Sequence, residues 1–525
     1  MLDRPASTAI VLEDTKKHEG ISLWPRPTRN PRDPLRWPQR TKIAITVVVS
    51  LVNFTANFAA GGLSVAIPIL SQEFQRTPSQ VTALLTFNFL FLGVGNAIWV
   101  PVASKLGKRC SFLVSTTGFL AALVWAPYAS NYEQLLASRC LSGMFASAGE
   151  SLVPEVINDM FFLHERARMM TIYAISLSIS SSLGPLLSGF IVSYTTEGWR
   201  NFAWLSVALA AFNLTSIYLF YPESTFHRPV PEAESPTTTI PGHEVKIESE
   251  STDVRPGTVA DHELDIVQVS WPSVWKTFYQ YDDSVTTVQA ILNPLVFMIY
   301  PSIIWVILVS AVALACPLIL GFSLPILLSG PPYFFQPFSV GLIQIAAIIA
   351  IIVACIAGYL SDRATAALIR RRKGRYFPEQ RLVSLLQTAW IEPLSCIMTG
   401  LVCEYKVSWV AIAVALALMF LGCQSLINVL YAYAVESHPD FASDCLVAVN
   451  IFKNVVAFVF VYVATDWIER SGWIQVFMIM FMTLTIVTLL AIPLYFYGPA
   501  LRLRSERIYR PKRKVQHTGA QAEHE

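Results

Sequence analysis

Twelve apolar runs of about twenty residues dominate this chain, six on each side of one long polar stretch. A helix needs about 20 residues to cross ~30 Å of hydrocarbon, and lipid forces the backbone to satisfy its own hydrogen bonds, so each run reads as a transmembrane helix. The runs begin near Ile43, Val81, Phe112, Leu135, Thr171 and Phe202, then near Ile303, Val340, Leu382, Trp409, Phe441 and Trp473. Of the 525 residues, 54% are apolar and 14% charged, against about 25% charged in an ordinary soluble protein. Forty of the 74 charges fall in residues 1–42, 222–300 and 498–525. A string of soluble domains is thereby excluded, since each would expose large apolar patches. The net charge of +2 offers no basic surplus for nucleic acid. The expected fold class is all-α integral membrane, with twelve transmembrane helices forming two six-helix halves around a central cavity.

The expected organisation is a cytoplasmic tail over 1–42, one half over 43–221, a largely disordered cytoplasmic linker over 222–300, the other half over 301–497, and a basic cytoplasmic tail over 498–525. Orientation follows from the basic residues. Lys105, Lys108, Arg109, Arg166, Arg168 and the Arg363 to Arg375 cluster fall on one set of loops; Arg76, Arg200, Lys406 and Arg470 fall on the other. Both termini are expected in the cytoplasm. The polar first 42 residues lack the apolar core of a signal peptide, so the first span is expected to direct insertion. An amphipathic helix is expected around Trp271 to Tyr279, lying on the membrane surface or on the protein itself. With no sorting signal evident, the plasma membrane is favoured over an internal one.

The eight cysteines form no CxxC pair and sit mostly in apolar runs, so no disulfide framework and no metal site are expected. HExxH, GxSxG and GxxxxGK[ST] are absent, which removes the common hydrolase and ATP-driven readings. No enzyme activity and no cofactor are expected.

The two halves echo one another. After span 2 stands Pro101-Val-Ala-Ser-Lys-Leu-Gly107-Lys108-Arg109, and after span 8 Gly358-Tyr-Leu-Ser-Asp362-Arg363. Paired halves of this kind characterise many transporters. On these residues the chain resembles the major facilitator superfamily, and within it the fungal twelve-span drug:proton antiporter group. Gly358, Leu360, Ser361, Asp362 and Arg363 match that family's G-x-L-S-D-R loop, while Gly107, Lys108 and Arg109 match the downstream part of its first copy. The first copy departs where an acid is usual: Ser104 and Lys105 stand there. Gly184-Pro185-Leu-Leu-Ser-Gly189 in span 5 is similar to the antiporter signature, with Ser188 in place of a glycine. Arg139 to Gly143 is similar to the element that begins the family's fourth helix. The resemblance implies alternating access, gating by the inner loops, and a cavity lined by spans 1, 4, 7 and 10.

Charges at bilayer depth cost at least ~2.5–3.5 kcal/mol each, so every one needs a reason. Span 4 carries Arg139, Glu150, Glu155 and Asp159. Arg139 and Glu150 share a helix face about 16 Å apart. Pro154 removes the hydrogen bond to the Glu150 carbonyl, leaving a free acceptor and an expected bend. Glu150 reads as a carboxylate alternating between proton and substrate, or as a structural buried acid. Glu155 reads as gating or structural, and Arg139 as proton-coupling or snorkelling. In the second half, Lys453 can pair with Glu150 or with Glu392, which is expected mid-span in a structural ion pair. Asn53, Asn57, Gln424, Asn428, Tyr431 and Lys453 are candidates for the substrate cavity, amides also being ordinary helix-to-helix bonds. Serines 176, 178 and 180 to 182 read as close packing.

Together these residues point to a proton-coupled antiporter expelling a small amphipathic or cationic molecule, with an importer of a nutrient or polyamine-like cation as the alternative. Its partners would be substrate, protons and lipid, without nucleic acid, and the chain would act as a monomer.

Overall fold

The structure, a computed structural model, describes residues 33–226, 295–371, 378–438 and 442–508, together with 10–11, 292 and 375–376. The segment around Trp271 and the far C-terminal tail lie outside the described residues. Among the described residues the fold is all-helical apart from two short strands, β1 (Ile10–Val11) and β2 (Arg375–Tyr376), which pair antiparallel.

Twelve helical spans follow. α1 is Gln39–Gly62, continued through a 3-10 turn, Leu63–Ala66, into a further helix Ile67–Glu73. Next come α2 (Pro78–Leu106), α3 (Lys108–Trp125), α4 (Tyr132–Met160), α5 (Leu163–Tyr194) and α6 (Trp199–Phe220). The second half has α7 (Pro301–Ser329), α8 (Pro337–Arg371), α9 (Ile391–Glu404) and α10 (Trp409–Ser437). A final helical stretch, Ala442–Leu489, breaks at Gly472 into α11 (442–471) and α12, which continues as Ala491–Ile508. Among the described residues nine helical stretches are long and apolar enough to cross a membrane, the Asp444–Arg502 stretch covering both α11 and α12.

Local chemistry sets the ends. Thr77 and Gln80 form a reciprocal capping box ahead of α2, with Pro78 at its first position. Gly107 takes φ 88°, a left-handed turn that breaks the apolar stretch into α2 and α3. α1 begins four residues ahead of its apolar run, and the turn before it is packed in, with Asp33, Leu35 and Trp37 buried. Pro154 stands within α4, which runs unbroken to Met160.

Within the halves, α2 packs on α4 and α1 on α5, while α7 packs on the α11–α12 stretch. Between them, α5 lies against α8 and α2 against α11. These two contacts are the same contact with the halves exchanged, as a repeated six-helix unit requires. α5 approaches both α1 and α8 closely. A Cβ on Gly184 would stand 2.4 Å from the Phe58 carbonyl of α1, and one on Gly189 would stand 2.6 Å from the Pro337 carbonyl of α8. The Gly184-Pro185 motif therefore lets α5 touch both its own half and the other. At the bundle end away from Lys108, Phe58, Leu63, Ile67 and Leu70 join Phe322 and Leu328 of α7 in one apolar cluster spanning both halves.

Candidate functional site: a buried polar centre between the halves

Glu150, two-thirds along α4, meets Lys453 of α11 across the central plane. Its Oε1 lies 2.8 Å from the Lys453 Nζ, and both side chains are less than a tenth exposed. The other oxygen, Oε2, accepts from Asn96 Nδ2 at 3.1 Å and from Asn454 Nδ2 at 2.9 Å. α2 and α4 thus hold the acid from one half, and α11 holds it from the other. Lys453 Nζ also donates to the Tyr431 hydroxyl at 2.6 Å, which donates to Asn450 Oδ1 at 2.7 Å. Both carboxylate oxygens of Glu150 and the Lys453 ammonium have partners, which is what burying an ion pair demands; the Asn96 Oδ1 beside them has none among the described residues.

The carbonyl that Pro154 frees is claimed. The Tyr173 hydroxyl of α5 donates to the Glu150 carbonyl at 3.3 Å and accepts from Asn53 Nδ2 at 3.0 Å. Asn57 Nδ2 donates to Asn53 Oδ1 at 3.1 Å, extending the chain along α1. A second bridge between halves runs from Ser178 Oγ of α5 to Gln424 Oε1 of α10 at 2.5 Å, and from Gln424 Nε2 to Asn428 Oδ1 at 3.0 Å. Gly358 of α8 faces Asn428, with its Cβ position 3.5 Å from that amide nitrogen.

The candidates of the sequence therefore converge, with exceptions. Asn53, Asn57, Glu150, Tyr431 and Lys453 form one connected network, while Gln424 and Asn428 form the neighbouring bridge. Arg139 stands apart. It is buried, and its Nη2 donates to the carbonyls of Ala59 and Ala60 where α1 gives way to its 3-10 turn. This is backbone capping rather than snorkelling. Glu392 corrects one expectation: it opens the helix Ile391–Glu404, which follows the helical turns Pro378–Ser384 and Leu385–Thr388, and neither carboxyl oxygen has a partner among the described residues, although the side chain is fully buried. The ion pair expected for it is absent because Lys453 turns towards α4. Ser178, expected to serve packing alone, bonds across the halves. Asn96 and Tyr173 are not among the candidates read from the sequence, yet the rule that picks Asn53 applies equally to Asn96, one of two buried asparagines, with Asn88, in the apolar run of α2.

At the other end of α4, Lys108 Nζ lies 2.5 Å from Asp159 and 3.5 Å from Glu155. The acid that Ser104 and Lys105 fail to supply is thus provided by α4. Glu223 closes the arrangement, its two oxygens accepting the Lys108 and Arg109 backbone N–H groups at 3.1 and 3.0 Å, capping α3. In the second half Arg502 pairs with Glu379 at 3.5 Å and Arg381 with Glu436 at 3.4 Å. Asp362 and Arg363 lie on α8, and their side chains fall outside the described residues. Among the described residues no group of His, Cys, Asp and Glu is placed to hold a metal.

Two helical halves meeting at a buried, ion-paired polar centre define a secondary membrane transporter. The Major Facilitator Superfamily model matches residues 49–461, and the chain belongs to that family. It is 25% identical to Protein HOL1 of Saccharomyces cerevisiae, over 94% of this chain and 92% of that one. It is 26% identical to the probable efflux pump mfs2 of Aspergillus flavus, over 85% of this chain and 99% of the pump. Among solved structures, the proton:xylose symporter XylE shares the fold with a TM-score of 0.58 at 12% identity, covering 88% of this chain and 96% of XylE.

Proposed function

We propose that the chain is a proton-coupled antiporter that exports a small amphipathic or cationic organic molecule, with Glu150 carrying the coupling. The observation behind this reading is the Glu150–Lys453 pair, buried, joining the halves and held by amides from both. A proton arriving on Glu150 cancels the attraction that ties α4 to α11. A cationic substrate arriving there replaces Lys453 as the counter-charge. Either event breaks the same link, and the two exclude each other, which is the logic of exchange. The Lys108–Glu155–Asp159 cluster gates one end, and the apolar cluster around Phe58 and Phe322 closes the other. The basic loops support a reading in which the gated end and both termini are cytoplasmic, in a plasma-membrane protein acting as a monomer. Residues 1–42, 222–300 and 498–525 are then its cytoplasmic segments. The similarity to a probable efflux pump supports export; import of a cation is the competing direction.

The test is transport by the purified protein in sealed vesicles under an imposed pH gradient, with a panel of organic cations. Accumulation on the acidic side means antiport, and accumulation on the alkaline side means symport. Glu150→Gln should abolish the gradient-driven component; unchanged gradient-driven flux in that variant removes Glu150 from the coupling.

A further inference from the structure

At the end of the bundle away from Lys108 lies a groove that no part of the central network uses. Two adjoining cavities, about 470 and 370 Å³, share one residue, Asp466 on α11. The smaller is walled by Phe87 and Arg76 from α2 and the turn before it, Tyr132 from α4, and Tyr462 from α11. The larger opens past Trp467 and Arg470. The walls come from both halves, so the groove has this shape only while α2 and α11 are together at this end.

The chemistry is that of a cation site. Phe87 packs edge-on to Tyr462 with ring centroids 5.8 Å apart, and Phe458 stands 5.4 Å from Phe87 and 5.5 Å from Tyr462, fixing an aromatic wall. The polar groups along the α2 rim are already engaged. Thr77 and Gln80 cap α2, and the Tyr132 hydroxyl donates to the Gln80 carbonyl at 2.7 Å. Arg76 is paired with Glu133 at 3.1 Å while its guanidinium lies 5.4 Å from the centre of the Tyr132 ring. Arg76 thus occupies the Tyr132 ring, and the rings of Phe87 and Tyr462 are the ones left to the groove. Asp466 forms no ion pair among the described residues, although Arg470 stands one turn along the same helix. What remains for a ligand is one carboxylate, Asp466, beside aromatic side chains, with Arg470 lining the larger cavity; a carboxylate next to aromatic rings is the combination that recognises organic ammonium groups.

We propose that this groove binds an aromatic or alkyl ammonium cation between Asp466 and the rings of Phe87 and Tyr462, as a site separate from the Glu150–Lys453 centre.

The experiment titrates the purified full-length protein, in phosphatidylcholine nanodiscs, with benzyltrimethylammonium, followed by calorimetry and by the fluorescence difference between the wild type and Trp467→Phe. Benzenesulfonate, of similar size and opposite charge, is the control. Binding should weaken at least tenfold in Asp466→Asn and several-fold in Tyr462→Leu, persist in Glu150→Gln, and be absent for benzenesulfonate. Asp466 is exposed, so its replacement leaves folding intact even where Tyr462→Leu does not. Wild-type affinity in Asp466→Asn, loss of all binding in Glu150→Gln alone, equal binding of benzenesulfonate, or no binding at all would each overturn the proposal. A failure of gradient-driven transport with binding intact would instead count against the antiport reading.

Discussion

Breaking the Glu150–Lys453 pair from each side separately, and then from both, gives a quantitative check on the central site. At 2.8 Å and an effective dielectric near 20, Coulomb's law gives a gross attraction of about 6 kcal/mol. Desolvation, at several kcal/mol per ion, opposes it, so the net worth of the pair is far smaller. The loss of one partner is another matter. Glu150→Gln leaves the Lys453 ammonium buried with neutral acceptors and no counter-charge, and Lys453→Met leaves the Glu150 carboxylate with only its two amides. Each single variant should lose roughly 3–5 kcal/mol, whereas the double variant, with no charge left to bury, should lose about as much as one of them or less. The coupling energy should then be at least about 2 kcal/mol, well above the ~0.5 kcal/mol within which independent sites add. The assay is denaturant unfolding of the detergent-solubilised protein, read by circular dichroism for wild type, both singles and the double. Strictly additive losses would refute the pair as an energetic unit and, with it, the switching logic built on it.

Three further outcomes follow from the geometry. His438, just beyond the end of α10, is packed against Phe297 and Tyr300, and burial, reinforced by the Arg502 charge, pushes its pKa down to about 4. A folded-state pKa below the ordinary value of about 6.5 means that the stabilisation is complete above pH 6.5. It is lost as the pH falls towards 4, by up to roughly 3 kcal/mol; His438→Phe should flatten that part of the pH–stability curve. Gly189→Ala puts a methyl group 2.6 Å from the Pro337 carbonyl, so α5 and α8 must separate, and a cost of about 1–3 kcal/mol should appear as a lower thermal midpoint. Glu223→Ala uncaps two backbone N–H groups of α3 at about 1–2 kcal/mol, and Glu223→Gln, which keeps an acceptor, should unfold at a midpoint between Ala and wild type.

The helices, their number and the residues worth attention could be read directly from the chain. Hydrophobic transfer is a sum over neighbouring residues, so a run of twenty apolar side chains announces a span without reference to the rest of the molecule. The same locality exposed Glu150 and Lys453, because a charge in an apolar run is anomalous wherever the run ends up. It also exposed the free carbonyl beside Glu150, since Pro154 removes its donor whatever surrounds it. Which hydroxyl would answer that carbonyl was not legible, because Tyr173 belongs to another helix.

The choice of Glu150 over Glu392 as the partner of Lys453 was likewise invisible. The two acids differ little in local sequence, each lying close to a proline. They differ in where α4 and α9 stand relative to one face of α11, and that follows from how the halves pack, with α2 against α11 and α5 against α8. The Ser178–Gln424 bridge, the isolation of Arg139 from the central network and the groove at Asp466 have the same origin. Burial preference is written residue by residue along the chain. Pairing depends on the rotation and depth of helices distant in sequence, which become definite only when the two halves are packed together.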